Sequence, residues 1–419
     1  MREHLRLRQQ QQREHHELRR AGLCVSQLGN YGFRITKDRR TINHTQGAEY
    51  LAERLNNSAV MGAYSSGLSS LSHRTQRKEW AMEHIIGFDA LYESMNKCKK
   101  GVIWKDSVAH FVLNSVEEVL KLEAQLKSGN YHSRKGRVFT LQSPKRRQAM
   151  GIPFRDRVYQ RSLCDNEIYP EITRHLIPDN FACQTGKGTD KARERLKQFL
   201  HRIYQREGRG GYVLQCDISG YYPKMSHKTA EESLRTYLKP EVAEMAIEIL
   251  REQYDGDVGY LPGSQLVQLL GISVLNPMDH YIKEKLQIKE YLRYMDDFLL
   301  FHKDKEYLEY CKDQIEKGLN SRGFVFNPKK TRIYPITEKI RFLGFYFTLT
   351  KTGKVVMLID PKNVKAERKK LRRMVNLAKK GKMTRQKVNE CYKCWRNHAS
   401  KGNSRNLLRR MDKYYRDLW

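Results

Sequence analysis

No apolar run in the 419 residues approaches the roughly 20 needed to span a bilayer. The opening stretch, Met1 to Arg8, leads into Gln9-Gln10-Gln11-Gln12 where a secretory signal would carry an apolar core. Both absences argue against a membrane partner, and a cytoplasmic chain is expected. Acids are scarce, with 47 Asp and Glu against 79 Lys and Arg and a net charge of +32. That imbalance exceeds what solubility requires and implies a polyanion, most simply nucleic acid held through many phosphate contacts. A ribosomal or chromatin-type binder would show the same excess, so charge alone does not indicate an enzyme. The eight cysteines are scattered. Cys391 and Cys394, with His398 beyond, have no second pair at zinc spacing, and helix packing is their expected role. Cys164, Cys183, Cys216 and Cys311 fall in segments that read as core, so reduced thiols are expected. The chain is long enough for a full core and two or three domains.

Within this basic chain, the acids that occur together stand out. Lys289 to His302 holds two short apolar, β-prone runs with Asp296-Asp297 between them. Read as strand, turn, strand, the segment is a hairpin exposing two carboxylates at its tip. Adjacent aspartates repel, so a cation is expected there, although acids also favour ordinary turns for local hydrogen-bonding reasons. Gly211 to Tyr222 reads as a buried strand ending at Asp217, followed by a turn and the aromatic pair Tyr221-Tyr222. Beside the hairpin, Asp217 would complete a three-carboxylate site suited to two divalent ions about 3.5–4 Å apart. The chemistry suggested is nucleotidyl transfer.

Tyr294-Met295-Asp296-Asp297, preceded some eighty residues earlier by Asp217 and its aromatic pair, resembles the palm of a reverse transcriptase. The resemblance extends along the chain. Arg137–Leu141 and Met150–Pro153 read as strands joined by the basic turn Ser143-Pro144-Lys145-Arg146-Arg147, ahead of Phe154-Arg155-Asp156-Arg157. That order is similar to the fingers of group II intron and related bacterial enzymes, and it makes Lys145, Arg147, Arg155 and Arg157 candidate triphosphate or template contacts. Gly186-Lys187-Gly188-Thr189 lacks the Gly-Lys-Ser/Thr order of a P-loop but resembles an element preceding the palm, with Lys187 a candidate nucleic-acid contact. Gly263 to Gln268, the segment Gly323 to Thr331 containing Lys330, and Arg341 to Phe345 fall in the family's order, with Phe342 and Gly344 in the hairpin that grips the primer.

The resemblance implies an α+β right-hand polymerase. Residues 1–80 would be a polar extension and linker with some helix near 47–55, 81–210 the fingers, 211–350 a ferredoxin-like palm, and 351–419 a helical thumb. Helices are expected at 116–126, 241–254 and 304–319, with a long one running to about Leu286. From Lys362 to Trp419 there are 20 Lys or Arg against 4 Asp or Glu, with aromatics interleaved. Lys369, Arg372 and Trp395 would meet a template–primer duplex there.

By the same resemblance, Asp217, Asp296 and Asp297 hold two Mg²⁺ ions, with Mn²⁺ able to substitute and the Ile218 carbonyl a further ligand. Tyr221 or Tyr222, with Tyr222 favoured, would stack under the incoming sugar, and Gln268 and Lys330 would contact the nucleotide. The partners implied are template RNA, cDNA or primer, deoxynucleoside triphosphates, and a small accessory protein or a second copy of the chain. The combination looks most like the enzymes of diversity-generating retroelements, although Val267 stands where their pattern carries serine. A defence-associated bacterial reverse transcriptase, a template-independent polymerase and a non-catalytic RNA-binding scaffold are the alternatives.

Overall fold

Short apolar runs bounded by turns, alternating with amphipathic stretches of helical period, give this chain its mixture of strands and helices. The computed structural model describes residues 82–142 and 146–419, together with three strands nearer the start. These are β1 (Cys24–Leu28), β2 (Gly32–Lys37) and β3 (Arg40–Ile42), an antiparallel meander pairing Cys24 with Thr36 and Ile35 with Ile42. The polar reading of residues 1–80 did not foresee these strands, and the helix expected near 47–55 lies outside the described residues.

There follow α1 (Phe88–Cys98), α2 (Asp106–Leu113), α3 (Ser115–Lys127), β4 (Arg137–Leu141), β5 (Arg147–Gly151), α4 (Phe154–Leu163) and α5 (Tyr169–His175). Next are α6 (Thr189–Glu207), β6 (Tyr212–Asp217), α7 (His227–Tyr237), α8 (Pro240–Gln253), α9 (Gln265–Ser273) and α10 (Asn276–His280). The remainder is β7 (Tyr291–Tyr294), β8 (Asp297–His302), α11 (Lys305–Asn320), β9 (Arg332–Pro335), β10 (Ile340–Phe342), β11 (Phe345–Leu349), β12 (Val355–Ile359), α12 (Pro361–Lys379), α13 (Arg385–Ser400) and α14 (Arg405–Asp417). No described helix is long and apolar enough to cross a membrane.

The chain forms two compact units. One takes the described residues up to Glu171 with Leu238–Asp255 and Pro262–Leu266; the other takes Ile172–Tyr237, Gly256–Leu261 and Val267–Trp419. In the first, α1 packs on α3 and α4, burying Leu91, Met95, Val119, Leu122 and Val158. The β4–β5 hairpin pairs Arg137 with Gly151 and Leu141 with Arg147, leaving Val138, Phe139 and Leu141 exposed. Arg147 therefore belongs to a strand and not to the basic turn expected to contain it, because its backbone pairs with Leu141.

The second unit is built on a four-stranded antiparallel sheet in the order β7-β8-β6-β9. Val213, Leu299 and Phe301 lie on one face against Leu196, Phe199 and Leu200 of α6. α11 packs along β6 and β8, burying Leu308, Cys311, Ile315 and Leu319 at the spacing expected for one helix face. Phe298, Leu299 and Leu300 are all fully buried, so the sheet is covered on both sides. Each such side chain contributes about 1.5–3 kcal/mol relative to exposure. Asp304 caps α11, its carboxylate accepting from the amides of Glu306 at 2.8 Å and Tyr307 at 3.3 Å.

The long helix expected to run to Leu286 is broken. α9 stops at Ser273, and α10 begins again with Pro277 in its first turn before a π-helical turn, Tyr281–Lys285. Proline lacks the amide a continuous helix would need at that point and collides with the preceding turn. β10–β12 form a separate three-stranded sheet, and α12–α14 close around Leu371, Val375, Val388, Tyr392 and Met411. The Tyr392 and Tyr415 rings stack there at 4.4 Å. Cys164, Cys216 and Cys311 are buried as expected, Cys183 is half-buried, and the described cysteines are free thiols.

Candidate active site

Because β6 and β8 are antiparallel and in register from Tyr212 opposite His302, the last pair of the ladder is Asp217 opposite Asp297. Cα atoms so paired lie about 4.5–5.5 Å apart. Side chains alternate along a strand, so Asp217 and Asp297 share the face that carries Val213, Leu299 and Phe301. Tyr294 pairs with Asp297 across the hairpin, leaving Met295-Asp296 as a two-residue loop. Three carboxylates thus gather at one end of the sheet.

Met295 occupies the left-handed region, at φ 57°. Tight hairpins require such a conformation, and glycine or asparagine usually supplies it. A side chain there costs roughly 1–2 kcal/mol. The turn is held from beneath, where Arg293 Nη1 donates to the Met295 carbonyl at 3.0 Å.

Burial, together with the charges of Asp296 and Asp217, pushes Asp297 up to about 7. Burial also raises Asp296, with the Asp217 charge contributing. Asp217 itself is nearly buried and fully engaged: Lys330 Nζ stands 2.5 Å from Oδ1, and Asn327 Nδ2 donates to Oδ2 at 3.0 Å. The Asn327 amide also donates to the Asp217 carbonyl at 2.8 Å, and Ile218 forms an isolated bridge with Phe326. The segment 326–331 therefore wraps the first aspartate, and sequence reading had singled out Lys330 there but not Asn327.

Among the described residues, no set of three His, Cys, Asp or Glu side chains forms a ready-made metal cage. The donors nonetheless suit divalent ions in kind, since such ions take carboxylate and carbonyl oxygens. Two half-buried acids are held above their ordinary range by burial first and by neighbouring carboxylates second, and the Lys330 ammonium already supplies positive charge to the third. Asp217, Asp296 and Asp297 are the side chains that could hold Mg²⁺, with the Ile218 carbonyl adjacent.

The two aromatics after Asp217 are placed differently. Tyr221 is buried, and its hydroxyl donates to the Gly271 carbonyl at 2.7 Å. Tyr222 is half-buried, with its hydroxyl 4.0 Å from Met295 Sδ beside the acidic turn. Its ring lies directly on α9, where a Cβ on Gly271 would come within 2.3 Å of the hydroxyl oxygen.

Other residues singled out in the sequence have mixed surroundings. Gln268 is exposed on α9, 4.0 Å from Cys183 Sγ. Lys187 Nζ donates at 2.9 Å to the carbonyls of both Pro178 and Asn180, closing its own loop. Phe342 is buried in the core, while Gly344 turns at φ 84°. Lys369 and Arg372 are exposed on α12, and Trp395 is packed against the helical core. In the first unit, Arg147 is exposed, whereas Arg155 is tied to Asp156, Gln125 and the His132 carbonyl. Arg157 lies over the Phe154 ring and donates to the Cys98 carbonyl at 3.4 Å. Lys145 lies outside the described residues.

Residues 143–347, which include the acids and the whole sheet that carries them, match the family described as reverse transcriptase (RNA-dependent DNA polymerase). The matched stretch is thus similar to a reverse transcriptase domain. No curated protein matches the chain. Among solved structures it is similar to apo telomerase from Candida tropicalis truncated from its C-terminal domain, at 14% identity and TM-score 0.41, covering 57% of this chain and 60% of that one. The apo telomerase of Candida tropicalis gives 13% identity and TM-score 0.42, with coverages of 59% and 52%. Candida albicans telomerase in complex with a TWJ fragment of telomeric RNA gives 13% and 0.41, with coverages of 63% and 55%. The chain thus spans about half to three fifths of the length of these solved chains.

Proposed function

We propose that the protein copies a dedicated template RNA into cDNA, using Asp217, Asp296 and Asp297 as the ligands of two Mg²⁺ ions. The observation that carries this reading is the pairing of Asp217 with Asp297 at the end of the β6–β8 ladder, with Asp296 in the adjoining turn. Bound divalent ions would make the primer 3′-hydroxyl a better nucleophile and stabilise the pentavalent transition state and the leaving pyrophosphate. The protein's own part is to hold three acids in register and to neutralise Asp217 with Lys330 until ions and nucleotide arrive. Tyr222, beside the turn, is the side chain we assign to the floor under the incoming sugar, where it would clash with a 2′-hydroxyl. Tyr221, with its hydroxyl committed to Gly271, supports Tyr222 from the core.

In this reading the β6–β9 sheet is the palm, the turn between β10 and β11 grips the primer end, and the basic helices α12–α14 are the thumb. The order of motifs and the Gly263-to-Gln268 segment favour a diversity-generating retroelement. Primer extension on an RNA template with deoxynucleotides and Mg²⁺ tests the activity. Wild type should extend and the Asp296→Ala plus Asp297→Ala variant should not; equal RNA binding with no acid-dependent DNA from either protein would leave a scaffold. Sequencing the nucleic acid copurified from the native locus separates the roles. Scattered changes at template adenines support the retroelement, and a faithful cDNA of a neighbouring non-coding RNA supports defence.

A further inference from the structure

Arg293 is the largest fully buried side chain of the described residues, and it sits two positions before the acidic turn. Leu292 and Arg293, neighbours on opposite faces of β7, are both completely covered, so the guanidinium has no route to water. Its counter-ion is Asp279 on α10, also fully buried. Arg293 Nε lies 2.7 Å from Asp279 Oδ1, and Nη2 lies 2.6 Å from Oδ2. The Tyr291 hydroxyl donates to Oδ1 at 2.5 Å. The remaining donors reach backbone, Nη2 to the Ile272 carbonyl at 2.9 Å and Nη1 to the Met295 carbonyl at 3.0 Å. The Arg293 backbone is pinned as well, its amide donating to Asp179 and its carbonyl accepting from Phe181.

A buried ion pair is a poor device for stability, because apolar residues of the same volume commonly serve as well. It is a good device for fixing a direction, since a planar fork with five donors permits one arrangement. Here the fork spans the end of α9, the side of α10 and the loop that carries Asp296. We propose that Arg293, oriented by Asp279 and Tyr291, is a positioning residue that sets the Met295 carbonyl and thereby the places of Asp296 and Asp297. The inference rests on the polymerase reading of the acids. It adds that their spacing is dictated from the interior, through a group that touches neither substrate nor metal.

Two variants test it. Arg293→Lys keeps a buried cation for Asp279, but an ammonium cannot bond Asp279, Ile272 and Met295 together. Arg293→Met with Asp279→Leu and Tyr291→Phe removes the whole network without leaving a charge stranded. Each is compared with wild type and with Asp296→Ala for thermal melting, for Mn²⁺ binding followed by electron paramagnetic resonance with the metal alone, and for primer extension. We expect at least one variant to melt cooperatively while binding Mn²⁺ several-fold more weakly. Its kcat should fall by about tenfold or more, with KM for the deoxynucleotide within about threefold, because misplacing a reacting group by about 1 Å can cost that much or more in rate. A cooperatively melting variant with wild-type Mn²⁺ affinity and wild-type kcat would overturn the inference, as would loss of cooperative melting in both, which would make the network purely structural. If wild type extends no primer, the polymerase reading fails, and Mn²⁺ affinity alone still decides whether Arg293 sets the acids.

Discussion

Two tight turns in the second unit use the same device with different partners. The β7–β8 turn places Met295 at φ 57° and is held by Arg293; the β10–β11 turn places Leu343 at φ 46° and is held by Arg193. Each arginine is buried and donates to the carbonyl of the left-handed residue, at 3.0 Å and 3.2 Å respectively. The counter-ions differ. Asp279 is wholly covered, whereas Asp190, which pairs with Arg193 and with Lys401, has 58% of its side chain exposed. A buried pair cannot relax into water when one member is lost, and an exposed one can. The turn bearing the acids is therefore the more rigidly specified of the two, and the β10–β11 turn is the one with room to adjust.

The sharpest break in that comparison is chemical. Asp217→Asn should lower primer extension by about a thousandfold or more while costing only about 0–1 kcal/mol of stability, since the asparagine can still accept from Asn327 and loses only the pair with the half-exposed Lys330. Leu343→Ala, at the other turn, should leave extension within about tenfold of wild type by the same assay. Next in size is the stability contrast. Asp279→Asn should cost about 3–5 kcal/mol by stranding Arg293, and Asp190→Asn about 0–1 kcal/mol, both read from denaturant unfolding.

The two turns should also respond to pH in opposite senses. Asp297 has a folded value of about 7 against about 3.9 unfolded. The folded state then holds the extra proton, so without divalent ions stability falls as pH rises from about 4 to about 7, and Asp297→Asn lessens that fall, leaving the part due to the raised Asp296. His398, beside the β10–β11 turn, is lowered by burial and by the charges of Arg193 and Lys401. There the unfolded state holds the extra proton, so stability is lost as pH drops below about 6.5. Melting curves of wild type, Asp297→Asn and His398→Gln across pH 4–8 in chelator would separate the two slopes. The smallest effect expected is from Gly344→Ala, where φ 84° strains any side chain and about 1 kcal/mol should be lost on thermal unfolding.

Much of this arrangement could be read from the chain alone. The strand ending at Asp217, the acidic hairpin and the amphipathic face of α11 follow from local period and charge, and the structure reproduces them. Less legible were features that depend on what lies across space. A lone arginine between Leu292 and Tyr294 gave one signal, a charge in an otherwise apolar strand, but its partner Asp279 lies fourteen residues earlier on a helix that sequence reading had merged into a longer one. Pro277 was the available clue to that break. Nor could two adjacent tyrosines be told apart by composition. Both touch Gly271, and what separates them is that Tyr221 is buried whereas Tyr222 is half-buried beside Met295. Arg155 likewise looked like a ligand contact and is found bonded to its own unit's Asp156 and His132.

β6 is hydrogen-bonded along both edges, to β8 and to β9. A slip of a single residue against either neighbour would carry Asp217 to the opposite face and put Cys216 or Ile218 in its place. Such a slip would also turn Val213 out of the cluster it shares with Leu299 and Phe301. The greasy interior thus acts as a vernier for the acids, locking their alignment with the same contacts that keep the sheet dry.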